Sequence, residues 1–210
     1  MIETIALFFN KGGVFIWFLL GVLAIATAVV IERMIFYFIT CRKRGGVLYI
    51  AMADAVNKND LPAAIAIAEQ SSAPVNIMAK SALVAAAASK PAEEIVEAVE
   101  QSSIIQMPRM TQRLNYLSLF ANIATLMGLL GTVAGLQQSF GSLAAVEASK
   151  KAAMLAGGIA EAMNMTAFGL VVAIPCMIMY TVLHNKQAQI TREIDDTLVR
   201  LLSLLKKRAR

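Results

Sequence analysis

One carboxyl in this chain stands where a carboxyl is costly. Glu161 is the only acid well inside the long apolar run from Ala152 to Leu183. A carboxylate at the centre of a membrane helix costs about 2.5–3.5 kcal/mol on insertion scales, so such a residue faces protein or water and points to function. A carboxyl shielded from water favours its protonated form. One that can load and release a proton is what a proton path needs. The alternative is that Glu161 sits near a membrane surface and pairs with Lys150 or Lys151. It lies about seven residues inside its helix, roughly 10 Å at 1.5 Å per residue.

A second pattern precedes it. Ala121, Thr125, Gly128, Thr132, Gly135 and Ser139 recur at steps of four and three. They form a stripe of small and hydroxylated residues, while Leu126, Leu129, Leu130, Val133 and Leu136 occupy much of the remaining surface. Small stripes let membrane helices approach closely. Gly128, Gly131 and Gly135, with Gly157 and Gly158 on the following helix, are the expected contacts. Thr125, Thr132 and Ser139 could line a hydrated path or simply bond their own backbone. Thr132 and Glu161 each lie about seven residues from the outer ends of their helices, which predicts similar depth. Thr166 is about 7.5 Å along the axis from Glu161 and about 140° around it, so the two do not share one narrow face. Asn164 is about 60° from Glu161 and could face the same space.

The elements that position these residues are long apolar helices. Hydrophobic residues make up 58% of the 210 residues and charged ones 16%, against roughly 45–50% and about 25% in soluble domains. Mean hydropathy is +0.66. Disorder is excluded because there is ample apolar material to bury, and two cysteines exclude a disulfide scaffold. With His184 the single histidine, no nucleophile–base or metal constellation appears, and no enzyme and no cofactor are expected. A spanning helix needs about 20 mostly apolar residues. The sequence predicts three, over 14–40, 114–139 and 154–184, with a short outer segment at 1–13 and an outer loop at 140–153. Ala26-Thr27-Ala28 resembles a signal cleavage site, but apolar residues continue to Phe38 and the segment reads as a retained anchor.

The charge of +5 clusters at the ends of the apolar runs, which points to membrane topology rather than nucleic acid. Arg42, Lys43 and Arg44 follow the first helix, and Arg109 and Arg113 precede the second. Lys186, Arg192, Arg200, Lys206, Lys207, Arg208 and Arg210 follow the third, whereas Lys11 alone marks the N-terminal end. Positive residues stay inside, so the expected topology has the N-terminus outside and both 41–113 and 185–210 cytoplasmic. Three or four helices are expected between 47 and 113. Asp60-Leu61-Pro62 reads as a helix start, and Ser72-Ala73-Pro74 and Lys90-Pro91 read as breaks. Ile190, Ile194, Leu198, Leu201 and Leu205 make an apolar stripe on a C-terminal amphipathic helix that packs on the other cytoplasmic helices. The fold class is therefore all-α: three transmembrane helices extended by cytoplasmic ones.

Gly128-Leu-Leu-Gly-Thr-Val-Ala-Gly135 and Gly158-Ile-Ala-Glu-Ala-Met-Asn-Met-Thr-Ala-Phe-Gly-Leu-Val-Val-Ala-Ile-Pro175 resemble the MotA/TolQ/ExbB proton-channel family, in its three-helix ExbB/TolQ branch. Glu32-Arg33 looks like that family's E-R. The resemblance implies a homo-pentamer in the bacterial inner membrane, with a lumen lined by the second and third helices. The lumen would hold a single-span ExbD/TolR-like partner, and a TonB/TolA-like transducer is a possible further one. It implies an ion-driven motor subunit, with Thr132, Glu161 and Thr166 as polar lumen positions and Pro175 as a helix bend. Two positions depart from the pattern. Thr125 stands where the family usually has proline. Asn164 replaces an apolar residue and adds an amide near Glu161 that could bond the carboxyl or help coordinate sodium. The implied ion is a proton, with sodium as the alternative. A TolQ-like constriction motor, a gliding motor and a non-conducting scaffold are the other readings.

Overall fold

The computed structural model describes residues 13–41 and 44–208. Lys11, Arg42, Lys43 and Arg210, used in the topology argument, lie outside the described residues, as does the expected outer segment up to residue 12. Among the described residues every regular element is helical. They are α1 (Gly13–Ile35) with a π-helical end (Phe36–Thr40), α2 (Arg44–Asn57), α3 (Leu61–Glu69), α4 (Pro74–Ala87), α5 (Ala92–Thr111), α6 (Leu114–Ser142), a 3-10 turn (Leu143–Ala145) and α7 (Ala148–Arg208). Three helical stretches are long and apolar enough to cross a membrane: Phe15–Ile39, Ala92–Ser142 and Ala148–Lys207.

The chain divides into two compact units. The first contains residues 13–31 and Arg113–Val182. Here α1 buries Ile16, Leu19, Val22 and Ala26, a row with helical spacing. α6 buries Leu114, Leu117, Ala121, Ala124, Gly128, Gly131 and Ser139, and α7 buries Ala162, Met165, Val172, Ala173 and Cys176. The expected outer loop 140–153 is mostly helix. α6 runs to Ser142 and the next helix begins at Ala148, leaving only Val146 and Glu147 outside regular structure. The Lys150 amide bonds the Glu147 carbonyl at 3.0 Å and starts α7.

The second unit contains Glu32–Gln112 and 183–208. Its four short helices α2 to α5 stop and start where local chemistry requires. Asp60 accepts from the Ala63 amide at 3.0 Å, capping α3. α2 and α4 each end in a left-handed residue, Asn59 (φ 69) and Ser89 (φ 55). In each case the next amide bonds back across the turn, Asp60 to the Ala55 carbonyl at 2.9 Å and Lys90 to the Ala85 carbonyl at 3.2 Å. That is the Schellman arrangement, which satisfies carbonyls a helix end would leave open. Met52, Val56, Leu61, Ala64, Ala68, Met78, Leu83, Ile95 and Val99 form the core, and Lys80 pairs with Glu69 at 2.9 Å on its surface. Ile190, Ile194, Leu198, Leu201 and Leu205 are all buried. They do not sit on a separate helix beginning at 185, because α7 is one helix of 61 residues. Pro175 lies inside it and is exposed.

Candidate functional site: the seam between α6 and α7

α6 and α7 meet along backbone rather than side chains. A Cβ built on Gly169 would lie 2.7 Å from the Ala124 carbonyl oxygen and 3.0 Å from the Gly128 Cα. One on Gly128 would lie 3.2 Å from the Gly169 Cα. Gly131 faces Met165 at 3.0 Å and Gly135 faces the Ala162 Cβ at 3.3 Å, measured in the same way. At the far end Gly158 packs on Ser139, whose Cβ would be 2.5 Å from an added carbon. Gly128, Gly131, Gly135 and Gly158 thus face the opposite helix, whereas among the described residues a Cβ added at Gly157 would meet nothing within 4 Å beyond its own helix. Gly169 is the contact the sequence reading missed. Its signal was present as the third of the small positions 158, 162 and 169 that share a face with Met165.

Thr125 and Thr132 border this seam rather than fill it, whereas Ser139 is buried in it. The buried row runs through Ala121, Ala124, Gly128 and Gly131, and Thr125 and Thr132 stand beside it. Thr125 is exposed and donates to its own Ala121 carbonyl at 3.0 Å, and Thr132 is half-buried and donates to the Leu129 carbonyl at 2.6 Å. Ser139 does likewise to Gly135 at 2.8 Å. Thr166 differs. It donates across the seam to the Gly128 carbonyl at 3.3 Å, tying the two helices at their closest approach.

Glu161 is exposed, and so is Asn164 one turn along the same face. On α7 the buried Ala162, Met165 and Gly169 lie between the directions of Glu161 and Thr166. The pairings Gly135–Ala162 and Gly131–Met165 also fix the antiparallel register. Thr132 is level with Met165, about one turn or ~6 Å along the seam from Glu161, so the predicted equal depth is not found. Among the described residues Glu161 makes no hydrogen bond or ion pair. Lys150 pairs instead with Glu147 at 3.5 Å. Lys150 and Lys151 are separated from Glu161 by about 15 Å of continuous helix, beyond the reach of a side-chain pair.

The geometry is thus a tight seam flanked by a carboxyl unpaired among the described residues and an amide, in an apolar stretch of α7. Comparison with known proteins places it. The model of the MotA/TolQ/ExbB proton channel family matches residues 70–196, which include the whole seam. The chain is 35% identical over 91 residues to the biopolymer transport protein ExbB of Pseudomonas putida, covering 43% of this chain and 27% of that protein. It is 35% identical over 89 residues to ExbB of Salmonella typhimurium, covering 42% and 36%. It is 35% identical over 92 residues to the Tol-Pal system protein TolQ of Pseudomonas aeruginosa, covering 42% and 39%. The aligned segment spans well under half the length of each of these relatives. The motifs at 128–135 and 158–175 fall inside the family match, and Glu32-Arg33 lies outside it. With three helices of spanning length, the chain is a multi-pass membrane protein and belongs to the MotA/TolQ/ExbB proton channel family.

Proposed function

We propose that this chain is the stator-type subunit of an ion-driven motor of the ExbB/TolQ type, with Glu161 relaying the ion. The observation that carries the reading is the exposure of Glu161 on an apolar helix with no partner among the described residues. Facing lipid, it would cost about 2.5–3.5 kcal/mol. A second copy or a partner helix covering that face removes the cost and encloses the carboxyl. A homo-pentamer with a single-span ExbD/TolR-like helix in its lumen supplies such a cover, in the inner membrane with the N-terminus outside. One elementary charge crossing 100 mV releases about 2.3 kcal/mol, so several charges per step can drive work on a TonB/TolA-like transducer. Asn164, on the same face, would bond the carboxyl or add an oxygen ligand if the ion is sodium. Thr132 and Thr166 would border the route.

Glu161→Gln keeps shape and polarity but cannot take up and release a proton. It is expected to preserve expression, oligomer and partner binding while abolishing motive-force-dependent work. Full energy-dependent activity in a normally assembled Glu161→Gln protein would refute the relay and leave the carboxyl as an interface residue. Asn164→Leu separates the ions: loss confined to sodium-driven assays means sodium, and little effect means protons. Native mass spectrometry tests the assembly, and a stable monomer would remove the lumen. A cysteine at Ser142 should label from outside with an impermeant reagent, and labelling only after permeabilisation would invert the topology.

A further inference from the structure

The contacts along the seam fix where the flanking side chains of α6 and α7 fall. Gly135 faces Ala162, and Gly158 packs on Ser139. Residue 138 of α6 is therefore level with residue 159 of α7, and Glu161 lies only two residues, ~3 Å, along the seam from Gln138. The two helices run antiparallel, and side chains lean toward the N-terminus of their own helix. Gln138 leans toward the level of Glu161, and Glu161 leans toward the level of Gln138.

The two also share a flank. Ser142 Oγ reaches Met154 Sδ at 4.0 Å. Ser142 is four residues from Gln138 and Met154 is seven from Glu161, so each pair agrees in direction to within about 40° and about 20°. That contact puts the Gln138 row of α6 and the Glu161 row of α7 on one side of the buried glycines. The other side belongs to Thr166, about 140° around α7 from Glu161, which donates to the Gly128 carbonyl.

Gln138 is the polar side chain that α6 supplies on this flank at this depth. One turn along the same row stands Ala134, whose methyl offers a carboxyl nothing. Gln137 is chemically identical, but it is turned about 100° further and directed away from the seam. Gln138 is exposed and makes no hydrogen bond among the described residues. An unbonded amide against lipid is costly, as is the carboxyl, and a bond between them relieves both. An amide also suits either protonation state, since its Nε2 donates to a carboxylate and its Oε1 accepts from a carboxylic acid.

We propose that Gln138 is a positioning residue that holds the Glu161 carboxyl on the α6 flank, between its own amide and that of Asn164. It keeps the carboxyl in place through loading and release without itself carrying the ion. This role rests on the reading that Glu161 relays the ion.

The test is infrared difference spectroscopy between low and high pH on the full chain in lipid nanodiscs. The Glu161 bands, of the acid and of the carboxylate, are those absent from Glu161→Gln. Gln138→Leu removes the amide, and the bands are expected to shift, the acid C=O stretch to higher frequency as it loses a hydrogen bond. Gln138→Ala should do the same and remains readable if leucine disturbs the packing. Gln138→Asn keeps the amide on a shorter stem and should return the bands toward their original positions. Gln137→Leu, an equal loss of polarity one residue away, should leave them where they are. Unmoved bands in Gln138→Leu and Gln138→Ala, or an equal shift in Gln137→Leu, would overturn the proposal. The bands report the contact and the activity of Glu161→Gln reports the relay, so each can fail while the other stands.

Discussion

Gly158→Ala is the sharpest test of the seam. The added methyl would collide with Ser139 Oγ and lie 2.5 Å from the Ser139 Cβ. Rotating the hydroxyl away does not relieve the clash, because the Cβ is fixed by the backbone. Either α6 and α7 separate locally or a backbone shifts, and such overpacking costs about 1–3 kcal/mol. Alanine regains roughly 0.5–1 kcal/mol over glycine in a helix interior, so the net loss should be at most about 2.5 kcal/mol, and about 1–3 kcal/mol relative to an alanine that meets no obstruction. The control is the neighbouring residue. Gly157 has nothing within 4 Å, so Gly157→Ala should be neutral or stabilising by up to about 1 kcal/mol in the isolated chain. Ser139→Gly removes the obstruction together with the 2.8 Å bond to Gly135, and should destabilise alone yet rescue Gly158→Ala. The double-mutant cycle should then show a favourable coupling of about 0.5–3 kcal/mol. Equilibrium unfolding in mixed detergent micelles measures all four proteins. If Gly158→Ala proves as benign as Gly157→Ala, the close approach of these helices is wrong.

Thr166→Val should lose the 3.3 Å bond to the Gly128 carbonyl and about 0.5–1.5 kcal/mol of stability. Thr166→Ser, which keeps the donor, should retain most of it in the same unfolding assay. Asp60→Ala removes the cap on the Ala63 amide and should cost about 0.5–2 kcal/mol, read as a lower thermal midpoint. Burial raises the Cys41 thiol to about 11, so it stays protonated at neutral pH. Its alkylation should be slow at pH 7.5 and climb steadily toward pH 11; a half-maximal rate near pH 8.5, typical of a free cysteine, would contradict the burial. The same shift makes the folded state hold a proton the unfolded chain releases, so stability should fall as pH rises through the range between about 8.5 and 11.

What the sequence revealed was set by how local its cause is. Asp60 caps α3 through an amide three residues away, and the Ile190–Leu205 stripe follows the helical period, so both were legible. Gly157 and Gly158 are adjacent and chemically identical, and only the position of Ser139 across the seam decides which of them packs. Likewise the row through Ala124 and Gly131 differs by one residue from the row through Thr125 and Thr132. Alanine and threonine both suit a tight helix surface, so composition did not choose between them. The left-handed turn at Arg113 was illegible for a different reason, since neither glycine nor asparagine marks it.

The unbroken α7 also constrains how this chain can change length. Within the second unit its buried residues hold one phase from Leu183 through Ile190, Ile194 and Leu198 to Leu201 and Leu205, with no loop in which a change of number could be absorbed. Deleting one residue between Leu183 and Ile190 would turn everything beyond it by about 100°. Ile194 and Leu201 would rotate toward water, and Asp195 and Lys206 would turn into the directions of Ile194 and Leu205. A seven-residue insertion, two turns to within about 20°, is the shortest addition that keeps the stripe near its original direction. In this segment the length of the chain is therefore selected as tightly as the identity of its buried residues.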